Sequence, residues 1–170
     1  MPYAVTHVLI SIIIADIIRD YIVKKKFSLY YVLIAGIAGL LPDIDIPIYW
    51  LLNSFSTISP IHRTFTHTIF LPLIFFIVAF LFKDKKIFNL DLKLVFLMIS
   101  LGIFIHLILD ALLIGYIIPL YPFIYTQIGL NLVKYLPLFI QNSFLPALDA
   151  ILLILWLIHE EIKHKIRDFI

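Results

Sequence analysis

At 170 residues, with 63% hydrophobic and 14% charged residues, the chain is too apolar for a soluble domain. Soluble domains average about 45–50% apolar and roughly 25% charged residues, and one this small has too little interior to hide the excess. The mean hydropathy of +1.09 makes lipid the expected solvent, the absence of cysteine excludes disulfides and thiolate metal sites, and a formal charge of only +2 gives no reason to expect a nucleic-acid partner.

A helix needs about 20 mostly apolar residues to cross a bilayer. Five candidate spans follow in chain order: 4–23; 29–41 with an irregular apolar continuation to 52; 66–82; 92–118; and 137–158. The segment 116–135 is aromatic and holds Pro119, Pro122 and Gly129, so it reads as an interfacial loop or a broken helix. No internal repeat is visible. The first apolar stretch lacks a basic leader and a small-residue cleavage site, so no cleavable signal peptide is expected. The expected fold class is all-α: one membrane-embedded helical domain, residues 1–170, of about five spans.

Lysine and arginine set the orientation. Arg19, Lys24, Lys25, Lys26, Lys83, Lys85, Lys86, Lys93, Lys163, Lys165 and Arg167 fall on one side of such a bundle. Only Arg63 and Lys134 of the 13 basic residues fall on the other. With five spans, this bias places the N-terminus outside and the C-terminus in the cytoplasm.

Ionisable residues inside a membrane are costly, so each is a candidate for function. His7 sits in the first turns of span one. Asp43 and Asp45 follow Pro42 at the far end of span two, where proline ends regular helix. His62 and His67 enter span three, and His106 and Asp110 lie in the second half of span four. The orientation carries all seven to the outer-leaflet side. His106 and Asp110 are four residues apart, so on a helix they share one face, about 5–6 Å apart at Cβ. They also interrupt the apolar run 101–113, where unpaired polar groups would cost several kcal/mol. Mixed imidazole and carboxylate ligands suit zinc, with manganese or iron as alternatives. Seven ligands exceed the needs of one catalytic zinc, and two ions roughly 3.5–4 Å apart would use them better.

Other polar residues have plainer readings. Asp16, Arg19 and Asp20 form a stripe read as a structural ion pair at the cytoplasmic end. Asp149 is either an orienter of a metal-bound histidine or a partner of Asn142 or a backbone group. His159, Glu160, Glu161, Lys163 and His164 are expected to form a solvated helix end.

Thr6-His7, Leu41-Pro42-Asp43-Ile44-Asp45, His62-Arg63-Thr64-Phe65-Thr66-His67-Thr68 and His106-Leu107-Ile108-Leu109-Asp110 together resemble the YdjM-type family of inner-membrane, metal-dependent hydrolases. The resemblance covers residues 6 to about 123 and is most specific in the His-Arg-x-x-Thr-His segment. Thr68 stands where the family usually has serine, and Tyr121-Pro122-Phe123 where it often has Trp-Pro-Phe. The resemblance implies a metal site on His7, Asp43, Asp45, His62, His67, His106 and Asp110. A more distant similarity, in the His-x-x-x-Asp feature, is to zinc-dependent phospholipase C.

The leading functional expectation is a membrane-embedded hydrolase using a divalent metal, zinc first and two ions in number. It would act as a phosphoesterase on a phospholipid or lipid-linked phosphate near the outer leaflet. Asp45 would act as base and Arg63 would hold a phosphate oxygen through its planar fork. The alternatives are a metal-ion transporter or channel, in which polar residues should continue to the opposite face, and a non-catalytic scaffold with a structural metal.

Overall fold

A computed structural model describes residues 3–23, 27–55 and 62–164. The basic residues Lys24, Lys25, Lys26, Lys165 and Arg167, used above for orientation, lie outside them.

The described chain is mostly helical. Helix α1 (Ala4–Ile17) runs on through a widened π turn, Ile18–Ile22. Helix α2 (Leu29–Ala38) starts at Ser28, whose hydroxyl accepts from the Tyr30 amide at 3.3 Å, satisfying one orphan donor of the first turn. It ends before Gly39. Pro42 then opens a 3-10 turn, Pro42–Ile44, and α3 (Asp45–Asn53) departs at 45° to α2. The bend is where proline removes a backbone donor, and it carries Asp43 and Asp45.

Helix α4 (Phe70–Leu81) follows a second 3-10 turn, Phe65–His67. A two-residue hairpin, β1 (Lys86–Ile87) with β2 (Leu90–Asp91), turns through Phe88 and Asn89, both with positive φ, as a right-twisted hairpin turn requires. Asp91 then caps α5 (Leu92–Leu112), accepting from the Lys93 amide at 2.9 Å. A non-helical stretch follows, pinned by a bridge between Ile117 and Ile128. It closes with a 3-10 turn, Leu132–Tyr135, before α6 (Leu138–His164), which contains Pro146.

Helix α5 is the axis of the bundle, packing against α1, α2 and α4. At Gly102 a Cβ would collide with the Ala35 carbonyl and approach the Ala38 side chain; glycine is required for α2 and α5 to meet this closely, the usual device for helix contact in lipid. Ile12, Ala15, Tyr31, Val32, Ala35 and Met98 form the buried apolar cluster. Helix α6 packs chiefly on α1, and Ile151, Leu155 and Ile162 are exposed along it, an outside that suits hydrocarbon.

Span by span, the fold differs from the sequence expectation. Helix α5 stops at Leu112 rather than 118, and α6 extends to His164 rather than 158. Helix α4 has only 12 residues, about 18 Å at 1.5 Å per residue, short of a hydrocarbon core of about 30 Å. His67 therefore lies in a 3-10 turn ahead of the helix rather than within a span. Among the described residues, two helices are long and apolar enough to cross a membrane, or three if the bent α2–α3 pair counts as one.

Candidate metal centre

Four parts of the chain supply the site. His7 comes from the first turns of α1, Asp43 and Asp45 from the α2–α3 bend, His62 to His67 from the segment leading into α4, and His106 with Asp110 from α5. His7, His67, His106 and Asp110 are fully buried at 0% exposure. Among the seven side chains His62, at 24%, is the most open.

The distances fall into two classes. Contacts near 2.7–3.0 Å are hydrogen bonds that orient rings. His106 Nδ1 donates to the Gly39 carbonyl at 2.7 Å, made available where α2 ends. Thr66 Oγ1 donates to Asp45 Oδ2 at 2.8 Å and accepts from His67 Nδ1 at 3.0 Å. This network assigns the Nδ1 proton to both rings, so each Nε2 carries a lone pair. The two Nε2 atoms face one another at 3.3 Å.

The second class lies between 3.4 and 3.7 Å. His67 Nε2 is 3.4 Å from Asp110 Oδ2 and 3.6 Å from Asp43 Oδ1. His106 Nε2 is 3.7 Å from each of the same two oxygens. These separations are long for hydrogen bonds. They fit ligands of one ion: bonds of about 2.0–2.3 Å in a tetrahedron put the ligand atoms roughly 3.3–3.7 Å apart. The unpaired atoms agree with that reading. Asp43 Oδ1 and both oxygens of Asp110 are buried without a hydrogen-bond partner among the described residues. Converging lone pairs and bare carboxylates are unfavourable unless a cation lies between them. The donor set, two imidazoles and two carboxylates, suits zinc.

Asp110 can serve two positions. Its Oδ2 faces His67 and His106, while its Oδ1 stands 3.5 Å from His7 Nε2. Neither ring nitrogen of His7 makes a hydrogen bond among the described residues, and the ring stacks on His106 with centroids 3.9 Å apart. His7, His106 and Asp110 therefore make one possible ligand group, and Asp43, His67 and His106 another.

Asp45 is held differently. Its Oδ1 accepts from His62 Nδ1 at 2.9 Å, and its Oδ2 accepts from Thr66 and from the Arg63 amide at 3.3 Å. Asp45, His62 and His67 form a third possible ligand group, but the 2.9 Å contact marks Asp45 and His62 as a hydrogen-bonded pair.

Arg63 borders the site. Its φ of 64° is unusual for a residue with a side chain. Its Nη2 donates to the Ile114 carbonyl at 3.3 Å, its guanidinium lies 5.3 Å from the Tyr116 ring centre, and its Nε is 3.8 Å from Asp110 Oδ2. Gly115, with φ of 111°, makes room for it: a Cβ there would strike the guanidinium.

Two readings of the remaining polar residues change. Glu160 is 2% exposed rather than solvated, and His159 Nε2 reaches Asp20 Oδ2 at 3.3 Å and Asp16 Oδ2 at 3.6 Å. The tail of α6 therefore packs on the end of α1. The Asp16, Arg19 and Asp20 pairing holds, with contacts of 3.4 Å and 3.0 Å. Asp149 is buried, and its Oδ1 has no hydrogen-bond partner among the described residues.

Sequence reasoning passed over two positions that orient the site's side chains, Thr66 and Gly39. Thr66 lies inside the His-Arg-x-x-Thr-His segment, where its hydroxyl beside His67 was the available signal. The Gly39 carbonyl had none.

Comparison with known proteins gives one match: the model of the family described as YdjM inner membrane protein aligns with residues 1–166. No curated protein and no solved structure matches the chain. Together with the apolar exterior, the family match makes this a multi-pass cell-membrane protein.

Proposed function

The chain belongs to the YdjM inner membrane protein family, and from that premise we propose that it is a metal-dependent hydrolase, a phosphoesterase acting on a phospholipid or lipid-linked phosphate near the outer leaflet. The observation that carries the reading is the set of 3.3–3.7 Å separations that His67 Nε2 and His106 Nε2 make with each other, with Asp43 Oδ1 and with Asp110 Oδ2.

Asp43, His67, His106 and Asp110 would hold one ion, and His7 with Asp110 Oδ1 a second. A bound zinc of this kind lowers the pKa of its water towards about 7 and so makes hydroxide available at neutral pH. Thr66 and Gly39 keep both Nε2 lone pairs aimed at the centre. Arg63, braced by Ile114 and Tyr116, offers its planar donors to a phosphate oxygen at the edge of the site. Asp45, already accepting three hydrogen bonds, acts through His62. It holds the Nδ1 proton so that Nε2 of this more open ring takes up the proton released from water, the division of labour of an aspartate–histidine pair.

The five-span arrangement, with the N-terminus outside and the C-terminus cytoplasmic, belongs to the same proposal; α4 would cross as a short helix with its entry turn at the outer side. The absence of native cysteine gives a clean test. A single cysteine at Lys134 should react with an impermeant maleimide in intact cells, and one at Lys83 only after permeabilisation. The reverse pattern would invert the topology.

The hydrolase reading is tested by metal content and by phosphate release from defined phospholipid vesicles, comparing wild type with His106→Ala and Asp110→Ala. Equal, negligible metal in all three would sink it. One observation favours the transport alternative: buried polar side chains continue along α1 from His7 through Ser11 to Asp16. Zinc uptake into sealed proteoliposomes would select that reading.

A further inference from the structure

Helices α4 and α5 leave a groove between them, a cavity of about 440 Å3. Pro72, Met98 and Ser100 are buried along it and form its floor. Leu73, Phe76 and Phe104 stand at its rim, each 44–47% exposed. Ser100 carries the one polar side chain among the described residues that line it, and its hydroxyl donates to the Pro72 carbonyl at 2.8 Å. The groove thus offers an occupant no side-chain hydrogen bond, and a polar occupant would be left unpaired in it. Leu97 and Phe104 mark its extent on α5, about 10 Å at 1.5 Å per residue. One end borders the metal centre. There Ile69 stands just beyond His67, and Phe104 precedes His106 by about 3 Å along the α5 axis.

We propose that this groove holds one acyl chain of a phospholipid whose phosphate lies at the metal centre. The inference deepens the hydrolase reading and rests on it for the phosphate end. Two surfaces meet there in the order a phospholipid requires. Arg63, 3.8 Å from Asp110, offers planar donors to a phosphate. The apolar groove begins beside His106 and runs away from it along α5. Its setting supplies hydrocarbon: the neighbouring side chains Ile77 and Phe80 on α4 are exposed and apolar in a membrane protein. Its length selects the occupant. One leaflet is half of a hydrocarbon core of about 30 Å, so the groove spans about two thirds of a leaflet-long chain. The longer isoprenoid tail of a lipid-linked phosphate would overrun it. A chain moving from bilayer to groove leaves no water behind, so its preference for the groove comes from close contact with the buried floor.

The test separates the groove from the chemistry. Full-length protein is reconstituted into phosphatidylethanolamine–phosphatidylglycerol vesicles containing a trace of phospholipid with a diazirine in mid-chain, irradiated, and mapped by peptide mass spectrometry. Label should concentrate on 69–76 and 97–104 by about tenfold over the exposed face 151–162 of α6, the scale on which a fitted apolar site discriminates. Leu73→Trp should remove that excess, and Leu155→Trp on α6 should keep it. Equal labelling of the two faces in wild type, which needs no variant to fold, would mean passing bilayer lipid and overturn the groove. So would an undiminished excess in folded Leu73→Trp, or stronger labelling of the groove by a diazirine isoprenyl phosphate. In phosphate release, Leu73→Trp should lower kcat/KM for a long-chain phospholipid about tenfold more than for a short-chain one. An equal loss on both would overturn the link between groove and centre. Groove labelling without phosphate release from any phospholipid would sink the hydrolase reading and leave the groove standing.

Discussion

The two ends of α1 carry polar clusters built on opposite terms. At the His7 end, ligand atoms from four parts of the chain converge at 3.3–3.7 Å, and the one cation beside them among the described residues, Arg63, stands at the border, 3.8 Å from Asp110. At the Asp16 end, Arg19 sits inside the cluster and already takes part of the charge. The first cluster has oriented imidazoles and, among the described residues, no internal counter-charge, so on the proposed reading it would depend strongly on a bound ion. The second has one imidazole and a built-in cation, so it is held together as an ion-pair network. Buried charge by itself does not separate the two. Ring orientation and the position of arginine do.

This contrast can be broken experimentally. The largest effect is expected from Asp110→Ala, which removes the carboxylate facing both His7 and the His67–His106 pair. Metal at this centre should be lost entirely; mass-spectrometric metal analysis measures it, and an unchanged content would contradict the bridging role of Asp110. Acid should act nearly as strongly. Coordination uses the neutral imidazole, so protonation competes with the ion and affinity falls as pH drops. Starting from an ordinary histidine pKa of roughly 6.5, occupancy should decline below about pH 6, and full occupancy at pH 4.5 would rule out a histidine-rich site.

Asp45→Asn should have an intermediate effect. It keeps every direct ligand but loosens His62 and the Thr66–His67 chain, so zinc affinity should fall about 10–100-fold while saturating zinc restores the stoichiometry. Competition with a fluorescent chelator resolves that range. The smallest change in metal binding is expected from Gly102→Ala. Its Cβ meets the Ala35 carbonyl, and overpacking of this kind costs about 1–3 kcal/mol of stability. It should lower the melting temperature while leaving the metal centre able to bind.

The membrane class and the residues of the first centre could be read from the sequence because both signals are local. An apolar surplus survives any fold, and His106 with Asp110 stand out in an apolar run on one helical face. The His62 to His67 segment could be noticed for its spacing alone. Three features could not be read. His159 and Glu160 sit in a charged stretch that looks solvated, and only the packing of α6 on α1 buries them. The π turn at Ile18–Ile22 leaves no mark on an apolar segment. The apolar run 66–82 looks continuous, yet the chain takes a 3-10 turn at Phe65–His67 before α4 begins, which places His67 in the centre instead of in a helix.

The central claim is that His67, His106, Asp43 and Asp110 hold one ion between them. Anomalous diffraction at the zinc edge, from crystals of the zinc-loaded protein, tests it most directly. A peak is expected about 2.0–2.3 Å from His67 Nε2, His106 Nε2, Asp43 Oδ1 and Asp110 Oδ2. A fully zinc-loaded crystal with no peak among those four atoms would contradict it.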